Sequence, residues 1–283
     1  MSLAIPFMLL SALGFALMAA CVKAASQLGL PVMEIVAARA GVSLLLSYLD
    51  IKRKRISPWG HHKKLLIARG VAGTLALMCV YYSVTTLPLA EATLLQYTYP
   101  AFTAIIALLF LNESIQRATL ACIALCLLGL AVMLLPDLQQ GQLEHLPPLS
   151  LLAALAGALG SAIAYVLVRK VSQHEDSSVI IFYFPLIALP LSLLLLGNDA
   201  VMPTTEGWVL LVLVGIFTQI GQVGLTKAMA IEKAGKASAY AYVQVVFSIV
   251  LGMLLFAEWP TYWTLAGGGL IIGGALINAL GKR

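Results

Sequence analysis

Hydrophobic positions along this chain run together in long blocks, with polar residues confined to short gaps between them. Ten apolar stretches lie near 3–27, 32–50, 64–86, 89–110, 116–135, 148–171, 177–197, 206–230, 236–256 and 261–280. A helix needs about 20 apolar residues to cross a bilayer, so each stretch predicts one membrane-spanning helix.

The pattern also repeats. Residues 9–27, LLSALGFALMAACVKAASQ, align with 155–173, LAGALGSAIAYVLVRKVSQ, sharing Gly14/Gly160, Ser26/Ser172 and Gln27/Gln173, with Lys23 opposite Arg169. Residues 89–113 align without a gap to 234–258, matching Ala92/Ala237, Tyr97/Tyr242 and Glu113/Glu258. The offset is 146 in the first block and 145 in the second, so one insertion reconciles them. Five spans per unit is an odd number, so the second unit must enter the membrane from the opposite side. The expected architecture is an all-α integral membrane protein of ten transmembrane helices, arranged as two inverted five-helix repeats at 1–136 and 148–283.

Composition agrees with lipid as the main solvent. The 283 residues are 61% hydrophobic and only 10% charged, and the mean hydropathy is +0.98. So little polar surface could not cover a globule in water. Basic residues gather in alternate gaps: Lys52, Arg53, Lys54, Arg55, Lys63 and Lys64, then Arg117, then Arg169 and Lys170, then Lys233 and Lys236, then Lys282 and Arg283. The intervening gaps carry Glu91, Asp137, Glu144, Asp199, Glu206 and Glu258 instead. By the positive-inside rule both termini are expected in the cytoplasm, and the net charge of +5 reports topology and implies no nucleic-acid partner. The first stretch has no basic region before it and no convincing cleavage site, so it is expected to be a retained helix. Cys21, Cys79, Cys122 and Cys126 fall inside apolar stretches and read as small core residues.

Several of these residues carry a resemblance. Pro31 is followed eight positions on by Arg39; YYSVTTLPLAEATLLQYTYPAFTAIIALLFLNE places Ala90, Ala92, Pro100 and Glu113; Gly129 follows in the fifth stretch. ASAYAYVQVVFSIVLGMLLFAE and LAGGGLIIGGALI repeat that grammar in the second half. Over its full length the chain resembles a ten-helix, EamA-type member of the drug/metabolite transporter superfamily. One departure is Val245, standing where Pro100 stands in the first unit. The resemblance implies an inner or plasma membrane carrier, commonly an exporter of amino acids or related metabolites. Its cavity would be formed by helices 1, 3, 4, 6, 8 and 9.

Amide and aromatic side chains in mid-helix offer flat walls and hydrogen bonds at small desolvation cost. Gln96, Tyr97, Tyr99, Tyr165, Gln219, Gln222, Tyr242, Gln244 and Tyr82 are the expected substrate-binding residues. Tyr81, Tyr82 and Tyr240 lie near helix ends, where an interfacial belt is the competing role. Lys23, Glu34, Arg39 and Pro100 are the expected gating residues: Lys23 and Glu34 as an outer clasp, Pro100 as a mid-helix hinge. Arg39 lies about 12 Å along its helix from Pro31, near mid-bilayer. It reads either as a gate or a contact for a substrate carboxylate, or as a packing anchor, and the family's use of its second helix favours the anchor. Arg69 and Lys227 are expected to snorkel to the nearby interface. The glycines at 267–269 and 273–274 suit close helix approach, with a homodimer surface as the alternative.

An enzyme reading finds no catalytic set. His61, His62, His145 and His174 lie in gaps without metal-ligand spacing, and no phosphate-cradling glycine loop precedes a soluble helix. No cofactor or metal is expected. The expected function is secondary transport of a small organic metabolite, an amino acid or related compound, outward by alternating access. The alternative is a multidrug exporter of cationic compounds, with Glu34 or Glu91 as counter-charge.

Overall fold

In the computed structural model the backbone is described for residues 4–87, 89–139, 147–257 and 259–280. The side chains of Val84, Thr85, Leu89, Ala90, Glu91, Leu94, Asp137, Leu138 and Gln139 lie outside that description. So do Glu144, His145, Glu258, Lys282 and Arg283, together with the expectations placed on them and on Ala90, Glu91 and Asp137. The helices are α1 (Ala4–Gln27), α2 (Val32–Lys54), α3 (Lys63–Thr86), α4 (Leu89–Gln96), α5 (Tyr99–Leu111) and α6 (Arg117–Gln139). The second half contributes α7 (Pro148–Val171), α8 (Ser177–Leu196), α9 (Thr205–Ile231), α10 (Ala234–Ala239), a 3-10 turn at Tyr240–Tyr242, α11 (Val243–Phe256) and α12 (Tyr262–Leu280). Among the described residues there are no strands, and nine spans are long and apolar enough to cross a membrane. The tenth crossing is α4 followed by α5.

Local chemistry sets the helix limits. Pro31 and Pro147, in extended conformation, precede the first turns of α2 and α7, where a missing N–H costs nothing. The Asp176 carboxylate accepts from Ser178 N at 2.8 Å and caps α8, and Thr204 caps α9 by accepting from Gly207 N at 3.2 Å. Burial pushes the Asp176 carboxyl up, but its hydrogen bonds to Lys54 and Ser178 outweigh that and hold it below the usual range.

The expected single helix over 89–110 is in fact two. Backbone turns at Tyr97 and Thr98 separate α4 from α5, and Pro100 sits in the first turn of α5, not in mid-helix. There its lack of an N–H is harmless. The matching span in the second half breaks at the equivalent place, through the 3-10 turn ending at Tyr242, without any proline. Val245 therefore does not remove the break. The likeness of the halves extends to the far ends of these spans: Asn112 and Ala257 both adopt left-handed backbone at φ 53° and donate to the equivalent carbonyls of Ala107 and Gly252.

Asn tolerates that conformation; alanine pays about 1–2 kcal/mol for it. Ala257→Gly is expected to stabilise the protein by about 1 kcal/mol, read as a raised unfolding midpoint in detergent. An unchanged midpoint would show that the cap is not under strain.

Spans pair across the halves. α1 packs on α9 and α3 on α7, while α2 packs on α8 and α6 on α12. Lipid gives little hydrophobic drive for helices to associate, so close backbone approach through small residues must supply the contact. A Cβ on Gly14 would lie 2.8 Å from Gly221 N, and one on Gly224 would lie 2.5 Å from Phe7 O. Gly267 and Gly274 of α12 are spent in the same way against α6, whereas Gly269 and Gly273 face open space.

Candidate central cavity

The two broken spans meet in the middle of the bundle. Tyr97 and Tyr242 stack with ring centroids 6.0 Å apart, and the Tyr242 hydroxyl donates to Tyr97 O at 2.8 Å. That carbonyl belongs to the turn between α4 and α5, so Tyr242 satisfies an acceptor that an intact helix would have used. Tyr242 is fully buried and serves as a pin between the breaks; it does not line the cavity. Tyr242→Phe keeps the stack and orphans the carbonyl, at an expected cost of about 1–3 kcal/mol in thermal stability. An unchanged stability would show that water replaces the hydroxyl.

Beside this pin lies a cavity of about 320 Å³, lined by Phe15, Met18, Arg39, Leu77, Val80, Tyr81, Gln96, Tyr97, Tyr99, Tyr165, Gln222 and Gln244. Six of the expected binding residues are therefore brought together: Gln96, Tyr97, Tyr99, Tyr165, Gln222 and Gln244. Tyr99 and Tyr165 meet edge to face at 5.1 Å, and Gln96 donates to Ser161 at 3.4 Å while its Oε1 has no partner.

The other expected residues lie elsewhere. Gln219 accepts from Ser43 at 2.7 Å and donates to Ser47 at 3.0 Å, so its amide holds α9 to α2. Tyr82 is 43% exposed and outside the cavity lining, whereas its neighbour Tyr81, also expected in a belt, lines it. Tyr240 is buried, away from any belt position. The Lys23–Glu34 clasp is not formed. Glu34 accepts from Val201 N at 2.9 Å, and the Lys23 ammonium lies 4.6 Å from the Phe256 ring centre.

Arg39 lines the cavity and is only 9% exposed. Its guanidinium stands over the Phe184 ring at 5.8 Å, its Nε has no acceptor, and no described carboxylate or carbonyl pairs with it. A packing anchor would donate to such groups. Arg69 departs further from expectation. It does not snorkel but is 4% exposed, lies 5.0 Å from the same ring, and donates to Gln222 Oε1 at 3.0 Å. Its Nε and one terminal nitrogen have no partner. The cause is lateral packing: Gly70 and Gly73 bring α3 so close to Tyr183 and Phe184 of α8 that the arginine between them is enclosed. An arginine set against small residues at a helix crossing is the signal that depth along the helix alone does not give.

At the face carrying most of the basic residues, Glu113 at the end of α5 accepts from Arg169 Nε at 2.7 Å and from Ala234 N at 2.7 Å. Arg169 also donates to the carbonyls of Met229 and Ala230. This cluster ties α5, α7, α9 and the start of α10 together.

A helical bundle with a polar and aromatic cavity between two broken spans defines a membrane carrier. The chain belongs to the EamA-like transporter family, whose pattern matches residues 2–135 and again 148–280. It is 34% identical over 264 residues to the pseudopaline exporter CntI of Pseudomonas aeruginosa, covering 93% of this chain and 91% of that protein. It is 28% identical over 239 residues to human solute carrier family 35 member G1, covering 80% and 65%. A solved crystal structure with 19% identity superposes with a TM-score of 0.80 over 96% of both chains, which shows the fold. The exporter and the solute carrier are transporters, not enzymes.

Proposed function

We propose that this protein exports a small organic metabolite, an amino acid or related compound, by alternating access through the central cavity. The observation that carries the reading is the cavity itself. About 320 Å³ lies in the range of small-molecule sites. It sits where two broken spans leave backbone groups that only protein, water or solute can satisfy. The similarity to a protein named as an exporter supports outward movement. The positive-inside distribution supports a cell membrane location with the basic face, and both termini, in the cytoplasm.

The cationic-drug alternative needs an acid in the cavity, and none of the described lining residues is one. Of the two acids it would use, Glu34 is bound to Val201 N, and the Glu91 side chain lies outside the described residues.

Gln244→Ala and Tyr165→Ala proteins reconstituted in vesicles are the test, with release of loaded metabolite mixtures as the readout. Roughly tenfold loss of flux in either, with folding retained, is expected for the loss of one or two wall contacts. Full flux in both would overturn the cavity as the route.

A further inference from the structure

We infer that the solute this cavity takes is an organic anion, whose acidic oxygens seat on Arg39 and on the amide of Gln222 held by Arg69. The inference rests on the cavity being the transport site, and goes beyond it by fixing the charge of the cargo.

Arginine cannot shed its proton to escape burial. Arg39 and Arg69, 9% and 4% exposed as residues, stand with their guanidinium groups against one ring, that of Phe184. Among the described residues no carboxylate pairs with either. The described acids sit at helix ends or between helices, as with Glu34 at the start of α2 and Glu113 beyond the end of α5. Cations over an aromatic face are partly compensated, yet Arg39 Nε, Arg69 Nε and one Arg69 terminal nitrogen still lack acceptors. A buried, uncompensated charge is costly unless something supplies the opposite sign. Of the two, Arg39 lines the cavity and is the group that would touch the solute. Arg69 is a positioning residue. By occupying Gln222 Oε1 it obliges the amide to offer its N–H donors, not its carbonyl, to the cavity. Guanidinium and amide together present a donor array suited to a carboxylate or a phosphate. Phe15, Met18, Leu77, Val80 and Tyr165 leave the rest of the space for an organic body. A cationic solute would meet two like charges, so among amino acids and related compounds the inference selects those whose net charge is negative.

The test is comparative profiling of small solutes in the medium of cells carrying full-length protein, an empty vector, Arg39→Gln or Arg39→Lys. Every solute enriched by the unmodified protein over the vector is expected to be retained on a strong anion exchanger at neutral pH. Fragmentation then separates carboxylates from phosphate esters, either of which fits the inference. Enrichment is expected to fall roughly ten- to a hundredfold in Arg39→Gln, the range for losing hydrogen bonds to a charged group. Arg39→Lys, which keeps the charge and loses the fork, should fall between. Enriched solutes that are neutral or cationic, or equal enrichment by a well-expressed Arg39→Gln, would overturn the inference while leaving the cavity as route. No enrichment by the unmodified protein would overturn the proposed export and this inference with it. The charge class of the cargo is read on the unmodified protein, so a variant that fails to fold does not shield the inference.

Discussion

Gly129→Leu is expected to prevent the protein from accumulating as a folded species, the largest loss of any single change considered. A Cβ at Gly129 would stand 2.6 Å from Gly267 O, and one at Gly267 would collide with Gly129 O in return. Both obstacles are backbone, so no rotamer change relieves them. The helices must separate, and with them goes the contact of Gly274 with Cys122 O, and the buried bond from Thr119 to Asn278 at 3.0 Å. Asn278 also donates to Lys236 O at 3.1 Å, so the loss reaches α10. Overpacking a well-filled interior costs about 1–3 kcal/mol where side chains can yield; here the backbone must move, and the cost exceeds the upper end of that range. Size-exclusion profiles of detergent extracts decide it: a monodisperse Gly129→Leu protein with an unchanged unfolding midpoint would refute the contact. Gly269→Leu, at a glycine with nothing within 4 Å, is the control and should be neutral.

That contrast bears on what the sequence could show. Apolar blocks announce spans because lipid admits little else, and eight of the ten stretches coincide with single long helices. The break at Tyr97 and Thr98 has no hydropathy signature: YTYP in an apolar run reads as continuous helix, and its counterpart YVQV lacks even a proline. Only the partner that satisfies the freed carbonyl, the Tyr242 hydroxyl, makes the break stable, and that partner lies 145 residues away. Amides illustrate the same limit. Gln219 and Gln222 are three residues apart on α9, yet one pins α9 to α2 through serines while the other lines the cavity. Sequence supplies the donor; which neighbour receives it is a property of packing. Arg69 was misplaced for the converse reason, since distance along a helix says nothing about what closes over its side.

Glu113→Ala is expected to leave solute binding largely intact and to cut net transport roughly tenfold or more, because the ionic cluster at the basic face would no longer close. Glu113 joins Arg169 to the first turn of α10, and the pair is largely shielded, with side-chain exposures of 13% and 18%. Partial exposure screens the attraction, so a cost of about 1–3 kcal/mol is expected, below the 3–5 kcal/mol of a fully buried pair. A carrier alternates between states that differ by only a few kcal/mol, and a shift of that size moves their ratio by about ten- to a hundredfold. Arg169 would keep its bonds to Met229 O and Ala230 O, so α7 and α9 stay joined while α5 and α10 are released. A cysteine placed at Ser238, fully buried in α10, reports the opening. In a background lacking the native thiols, its labelling rate should rise by the same factor in Glu113→Ala, and Glu113→Asp should restore part of the closure. Labelling that stays slow while transport falls would show that Glu113 acts on the solute path itself. Labelling and transport both unchanged would show that the helix packing alone holds this face shut.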